Sequence, residues 1–588
     1  MSRIKQYSLL FLILAVGLLL RLYHNTDISL WHDEAFSALL IKYPWGEMFY
    51  RIGLDVHPPV YYVALRLWNY GLGDSLLSLR GFSIFFGLLT ALGAYGLVKT
   101  AFNSTKAALI AALLVAISPF QLQYATEARM YTFGAFLAVL AAYCLVKALQ
   151  ALPQNSTVST TPAPNQTEIV APVSPKLQQT SYPWIWWIAF GLTAGLATLT
   201  HYFLLFSIAA LCFYALAWHF YYYRFNFKRY YLLLTAYLLT ALVFAPWFTW
   251  FLYQYKQVGA GYWIPPLDRW SIPTTLWQMF IGMEVGLCDK LMRTLQTWLG
   301  LQTDMSHAAS QTLIVLVTVF SIYFFYSFIR KTSAPYKWLV LLATLAPFGG
   351  ALLFALLAKL KGQDSSVYLV RYFLYAATFY TAALAVWFSN LSSKWFSYLL
   401  LTMYCFTSLA AFAYYWNDLQ IQTKPGMAAA IQYMRTQVSP TDKLYVGSSF
   451  EYFNLKYYLS QTPPPEKDAV AKPSMISRQY ALEDLTEEAP IPTRLVGWPK
   501  PLLFSGGQTT THNMPHFAGT AILTDSDLLP YFEQGATSGE TVWLLWTNGF
   551  GGSKPTTPAN WKQVDERGFA EVRPYVGTWI IVTKYMVN

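Results

Sequence analysis

Runs of mostly apolar residues, each close to the length of a membrane-crossing helix, recur along this chain as far as residue 416. They restrict it to folds that lipid can solvate. A helix needs about 20 such residues to cross a hydrocarbon core, and inside that core every backbone amide must find its partner within the protein. Candidate spans lie near 7–23, 81–99, 107–120, 131–149, 184–200, 202–222, 231–250, 311–329, 338–358, 371–389 and 396–416, eleven in all. The segment 60–72 is apolar but short and carries Arg66, which suits an interfacial helix. Residues 1–23 combine a basic start with an apolar run and no small-residue cleavage site, the pattern of a retained signal anchor. Only 12% of residues are charged, against roughly 25% in soluble proteins. The expected fold class is therefore an α-helical polytopic membrane protein.

A net charge of +11 raises the question of nucleic acid. Its distribution answers it: the basic residues sit in short loops between apolar runs, with no long basic tract, so no nucleic-acid partner is expected. With the N-terminus in the cytosol, the cytosolic loops hold Arg3, Lys5, Lys99, Lys106, Lys147, Lys176, Arg224, Lys228, Arg229, Arg330, Lys331, Lys337 and Lys394, against Glu168 alone. The opposite loops collect Asp33, Glu34, Glu47, Asp55, Asp74, Glu127, Asp268, Glu284, Asp289, Asp304 and Asp364. This bias predicts a multi-pass protein of the cell (plasma or inner) membrane with a cytosolic N-terminus. Cys144, Cys212, Cys288 and Cys405 are scattered and none follows 405, which argues against a disulfide framework or a zinc ribbon.

Two regions fall outside the expected bundle of residues 1–416. Residues 151–182, rich in Ser, Thr, Pro, Gln and Asn, read as a disordered cytosolic linker, so the sequons at Asn155 and Asn165 lie on the wrong side for glycan attachment. Residues 417–588 read as an extracytoplasmic α/β domain. Helical patterns at 426–437 and 450–459 accompany strand candidates at 444–446, 541–546 and 577–583.

On this topology the chemistry-bearing residues gather on the outer side. Asp33, Glu34, Asp55 and His57 share the first outer loop, and the segment from Gln123 to Tyr131 forms the second. His201 marks the next outer turn, Tyr262 and Trp263 lie in the long loop 251–310, and Arg371-Tyr372 opens the tenth span. Ionisable side chains beside a bilayer are costly and tend to mark function. The bland alternatives are specific. Asp33 and Glu34 can cap a short helix beginning near Ala35, Arg371 can snorkel, Arg80 suits an anchor, and Tyr131, Tyr262 and Trp263 fit an interfacial aromatic belt.

Three elements carry a resemblance: Asp33-Glu34, Asp55-Val56-His57-Pro58-Pro59 and Glu127-Ala128-Arg129-Met130-Tyr131. In this order they resemble the polytopic glycosyltransferases of the C-type (GT-C) fold. The branch is the one containing protein O-mannosyltransferases, the lipid A aminoarabinose transferase and the Rgt-type lipopolysaccharide transferases. The resemblance covers roughly residues 7–390 and is weaker over the tail.

It implies transfer of a sugar from a polyprenyl-phosphate carrier to a glycan, lipid or protein acceptor on the extracytoplasmic side, with no nucleotide cofactor. A carboxylate that takes the acceptor's proton is then needed; Asp33 fits that role, Glu34 would hold the acceptor or the loop, and inversion is expected by analogy. A departing phosphate needs a fixed cation, supplied by Arg371 in the family's Arg-Tyr element with Tyr372, and by Arg129. His57, Glu127, Tyr131, His201, Tyr262 and Trp263 are candidates for substrate binding. Glu127 resembles a position that binds metal in oligosaccharyltransferase relatives, so a divalent metal at Glu127 and Asp33 stays open although a lone Glu lacks clustered oxygen ligands. A transporter or flippase would instead show inverted repeats and polar breaks near the midplane, and a non-catalytic scaffold would leave the acidic first loop without a purpose.

Overall fold

The structure, a computed structural model, describes residues 2–152, 182–260, 264, 266–300, 304–362, 366–439, 442–446, 451, 453–455, 457–458, 503–505, 508–510, 532, 536–549, 553–572 and 578–588. Most of the expected linker (153–181, with both sequons) and the loop residues Tyr262 and Trp263 lie outside the described residues.

The chain begins with α1 (Arg3–Leu22), turns through three short helices, α2 (His32–Leu40), α3 (Trp45–Leu54) and α4 (Val60–Leu72), and enters the long α5 (Leu76–Phe102). Next come α6 (Thr105–Ile117), α7 (Pro119–Ala125), α8 (Tyr131–Gln150), α9 (Pro183–Thr198), α10 (Leu204–Tyr223), α11 (Tyr231–Phe244) and α12 (Phe248–Ala260). The short α13 (Ser271–Phe280) and α14 (Val285–Trp298) lead to α15 (Ser306–Lys331), α16 (Lys337–Leu360), α17 (Leu374–Ser389) and α18 (Lys394–Leu419).

Among the described residues, nine helices are long and apolar enough to cross a membrane, and α6 with α7 makes a tenth, bent by 55°. The protein is a multi-pass membrane protein. The run near 184–200 forms the shorter α9, 16 residues, which lies antiparallel to the span α8. Lys147 near the end of α8 lies 5.4 Å from the Trp186 ring at the start of α9, and His201 just past α9 lies 6.0 Å from Tyr131 at the start of α8. It therefore traverses the same depth and completes the eleven. The expected interfacial helix at 60–72 is α4.

The bend in the α6–α7 span has a local cause. Pro119 has no amide hydrogen, so the carbonyl four residues earlier loses its helical donor. Arg21, fully buried at the end of α1, supplies replacements: Nη1 donates to Ala116 O at 2.8 Å and Nη2 to Val115 O at 3.4 Å. Ser118 caps the new helix through Gln121 N at 3.5 Å. The break sets α7 across the end of the bundle, where it leads into the turn that carries Glu127 and Arg129.

The bundle packs around α17, which is buried on nearly every face, as expected of a helix apolar all round at the centre of a protein. Small residues allow close approach: Ala107, Ala108, Ala111, Ala112 and Ala116 line buried positions of α6, and Gly134 of α8 lies against Tyr375 and Leu204. The N-terminal end of α17 therefore lies on the bundle axis, with Arg371 in the 3-10 turn Val370–Phe373 just before it.

After α18, the helix α19 (Gly426–Gln437) buries Met427, Ala430, Ile431 and Met434 at helical spacing, in a cluster with Tyr445, Trp543 and Val582. The main sheet has the order β1-β4-β6-β5, with β1 (Lys443–Val446) parallel to β4 (Thr541–Thr547), and β6 (Trp579–Val587) antiparallel to both β4 and β5 (Trp561–Ala570). A separate antiparallel pair joins β2 (Leu503–Ser505) to β3 (Gln508–Thr510). β5 has no apolar signature in the sequence because it is an edge strand whose residues from Lys562 to Gly568 are exposed.

Candidate active site at one end of the bundle

The first turn of α2 directs two adjacent carboxylates differently, since successive helical residues point about 100° apart. Asp33 remains partly open, its side chain 28% exposed, and its Oδ2 faces two guanidiniums: Arg129 Nη2 at 3.6 Å and Arg371 Nη1 at 4.0 Å. Burial by itself would raise the Asp33 carboxyl, but Arg129 and Arg371, with His32 adding, outweigh it and hold it below the usual carboxylate range.

Glu34 turns inward and is fully buried. Its Oε1 accepts from Arg80 Nε at 2.9 Å and Ala128 N at 2.7 Å, and its Oε2 from Arg80 Nη2 at 2.8 Å and Trp31 N at 3.5 Å. With both oxygens used and no exposure, Glu34 ties the first loop to the turn at 126–130. Arg80 is likewise buried rather than an interfacial anchor, and it also donates to the carbonyls of Asn25, Ile28 and Ser29.

Arg129 organises the interior side. Its Nη1 donates to Asp33 O and Ser37 Oγ, both at 3.2 Å, and its Nη2 meets His57 Nε2 at 3.0 Å. A guanidinium nitrogen only donates, so His57 Nε2 is the acceptor and its proton resides on Nδ1, 3.8 Å from Asp55 Oδ2. Burial, then the charge of Arg129, keeps the His57 imidazole neutral, with its pKa well below the usual value. Burial also lifts the Asp55 carboxyl to about 6, against the opposing pull of the Val56 amide and Arg129.

The loop that carries Asp55 and His57 is held from a distance. Gln254 of α12 donates Nε2 to Ile52 O at 2.8 Å, Gly53 O at 3.2 Å and His57 O at 3.3 Å. Its Oε1 accepts from the Tyr202 hydroxyl at 2.5 Å, which in turn accepts from Trp247 Nε1 at 2.9 Å. Neither Gln254 nor Tyr202 is distinguished in the sequence, because a single Gln in an apolar helix has no motif around it.

His201, buried between α9 and α10, forms the next wall. Its ring lies 5.8 Å from that of His57, 6.0 Å from Tyr131, 4.6 Å from Tyr372 and 5.6 Å from Tyr375. Its Nδ1 accepts from Phe203 N at 3.3 Å, and burial, then Arg129 and Arg371, lowers its pKa to about 3. Arg371 lies over the Trp31 ring at 5.8 Å with its side chain 18% exposed, whereas Arg129 is nearly closed off.

The structure thus brings Asp33, His57, Arg129, Tyr131, His201, Arg371 and Tyr372 to one place, with Asp55 beside them. Glu127 is buried on the same turn as Arg129, its carbonyl accepting from Arg129 N at 2.8 Å. The donor set does not suit a metal. Asp33 faces two cations, and the described residues contain no group of three or more His, Cys, Asp or Glu side chains able to hold an ion.

Residues 56–157 match the family model described as dolichyl-phosphate-mannose-protein mannosyltransferase. A comparison with curated proteins returned no match. Among solved structures, ArnT from Cupriavidus metallidurans bound to undecaprenyl phosphate is similar at 12% identity over 97% of each chain, with a TM-score of 0.52. The apo state of ArnT gives 12% identity over 99% of this chain and 98% of that one, with a TM-score of 0.53. The likeness spans the helical bundle and the tail together. The chain therefore has the fold of ArnT, and with it the C-type polytopic fold that its three motifs resemble.

Proposed function

We propose that this protein is a membrane glycosyltransferase that moves a sugar from a polyprenyl-phosphate carrier to a nucleophilic group on a lipid, glycan or protein acceptor. The observation that carries the reading is the carboxylate of Asp33 set between the guanidiniums of Arg129 and Arg371. The mannosyltransferase family model over residues 56–157 supports it, as does the fold shared with a protein whose structure holds undecaprenyl phosphate.

In the proposed reaction an acceptor hydroxyl oxygen bonds to the anomeric carbon while the bond from that carbon to the carrier's phosphate oxygen breaks. The bonding electrons leave with the phosphate, and the hydroxyl proton passes to an Asp33 carboxylate oxygen. Arg371, the more open guanidinium, binds the phosphate and stabilises the charge that develops there. Arg129 holds Asp33 and His57 in place. Two arginines make Asp33 a weak base in the free protein; when a phosphate engages Arg371, the proton affinity of Asp33 rises. The base is thus strengthened by the arrival of the donor. The neutral rings of His57 and His201, with Tyr131 and Tyr372, form the wall on the sugar side. The distribution of Lys and Arg among the loops supports a site on the extracytoplasmic face with the N-terminus in the cytosol.

The test is incubation of the purified protein with a panel of radiolabelled polyprenyl-phosphate sugars and membrane extract. Transfer by the wild type and its loss in a folded Asp33→Asn variant is the expected result. No transfer across a broad panel would remove the reading.

A further inference from the structure

The connection between α10 and α11 is built almost wholly from rings and cations. Of the twelve residues from Phe220 to Tyr231, eight are aromatic, three are basic and one is Asn226. An inner set fastens the turn: Tyr223 and Tyr230 are buried, their rings 5.6 Å and 5.4 Å from that of His219. The Tyr230 hydroxyl donates to Arg224 O at 2.7 Å, and Asn226 N donates to Tyr223 O at 2.9 Å. An outer set faces away from the protein, with Tyr221, Phe225, Phe227 and Tyr231 between 63% and 76% exposed. Arg224 stands among them at φ 44° and ψ −119°, a conformation that a side-chain-bearing residue adopts only at a cost. Such strain persists where the surroundings hold it, and it concentrates at functional positions.

Arg224, Lys228 and Arg229 meet no carboxylate among the described residues. No Asp or Glu occurs between Glu168 and Asp268, and α8, α9, α16 and α17, which pack on α10 and α11, contain none. Arg224 and Lys228 are exposed, and Arg229 lies over the Tyr223 ring at 5.8 Å. The place matters as much as the composition. α10 starts three residues after His201, in the wall of the candidate site, and its 20 residues reach about 30 Å. That is about the thickness of a hydrocarbon core. The turn therefore lies at the opposite membrane boundary, at the depth of the headgroup phosphates.

We propose that the α10–α11 turn binds the headgroup of an anionic phospholipid, in the leaflet opposite the candidate active site. Arg224, Lys228 and Arg229 take the negative charge of the headgroup, and the outer rings pack on the glycerol backbone and first methylenes. The rings decide for a lipid over a soluble anion, because inorganic phosphate would satisfy the charges and leave the rings in water. Aromatic side chains favour this depth, and each basic residue beside an anionic surface strengthens binding about fivefold. Such binding does not depend on sugar transfer, whose proposed phosphate site lies at the other end of α10.

Native mass spectrometry of the full-length, detergent-purified protein tests this, with titration by phosphatidylglycerol, phosphatidylcholine or inorganic phosphate. The expected result is a phosphatidylglycerol adduct on the order of a hundredfold tighter than the phosphatidylcholine one, undisturbed by equimolar inorganic phosphate. Arg224→Gln, Lys228→Gln and Arg229→Gln should each weaken it about fivefold, and the triple variant on the order of a hundredfold. Phe225→Ala combined with Phe227→Ala should weaken the binding of both lipids. Arg371→Gln at the other boundary should keep the adduct, as should a charge-matched triple of Arg330→Gln, Lys331→Gln and Lys394→Gln. Equal affinity for the two lipids, displacement by inorganic phosphate, unaltered binding in the turn's triple variant, or the same loss in the charge-matched triple would each overturn the proposal.

Discussion

Arg80 grips Glu34 through two parallel hydrogen bonds, Nε to Oε1 at 2.9 Å and Nη2 to Oε2 at 2.8 Å, and neither side chain is exposed. Removing one partner of such a pair strands a buried charge, at a cost of about 3–5 kcal/mol. Glu34→Gln and Arg80→Met are each expected to lower stability by amounts of this order, with the double variant recovering part of the loss. Denaturation of the solubilised variants checks this, and a double-variant loss equal to the sum of the singles would contradict the pairing.

Asp33→Asn removes the proposed proton acceptor and leaves the shape unchanged. A general base contributes about 10²–10⁴ in rate, so turnover should fall by that order in a variant that still folds, whatever part of the unfolding midpoint is lost with the contacts to Arg129 and Arg371. Arg371→Lys keeps the charge but loses the planar fork. Its donor KM should rise, and that rise should be larger still in Arg371→Gln. Steady-state kinetics on a lipid-phosphate sugar separates the two effects.

His57 and His201 are held neutral by burial and by nearby guanidiniums, His201 with a pKa of about 3. Neither imidazole should titrate between pH 5 and 8. Chemical-shift titration of labelled histidine in the intact protein should show both rings flat across that window, and an inflection near 6.5 at either would refute the assignment.

Asp55 gives stability an identifiable slope. Its carboxyl is raised by burial from 3.8 to about 6, so between these values the folded chain holds a proton that the unfolded chain has released. Stability from this group therefore falls as pH rises from about 4 to about 6, by no more than about 3 kcal/mol. Asp33, with a lowered pKa, slopes the opposite way, its contribution being lost on acidification below the unfolded value. The difference between wild type and Asp55→Asn, followed by unfolding across pH 4–7, isolates the first slope.

Arg21→Met should destabilise the bent span. It withdraws the donors that serve Ala116 O and Val115 O beside Pro119, and an unsatisfied buried acceptor costs about 1–3 kcal/mol. Pro119→Ala in the same background restores an amide hydrogen and should return part of the stability, measured by the same unfolding assay.

Local composition was enough to determine the helical membrane architecture, because hydrocarbon solvation demands long apolar runs and a helix satisfies its own backbone. Alternation and helical spacing were likewise enough to mark α19, β1, β4 and β6. The motif residues Asp33, His57, Arg129 and Arg371 were visible as ionisable groups at span ends. Only the tertiary structure decided that Asp33 faces the open side while its neighbour Glu34 is consumed by Arg80, 46 positions away. It alone showed that Gln254 holds the His57 loop, that Arg21 relieves the Pro119 break, and that β5 closes the sheet as a polar edge. Each of these depends on donors and acceptors that meet across long stretches of chain. A carboxylate's role follows from which cation reaches it first, and sequence order does not encode that distance.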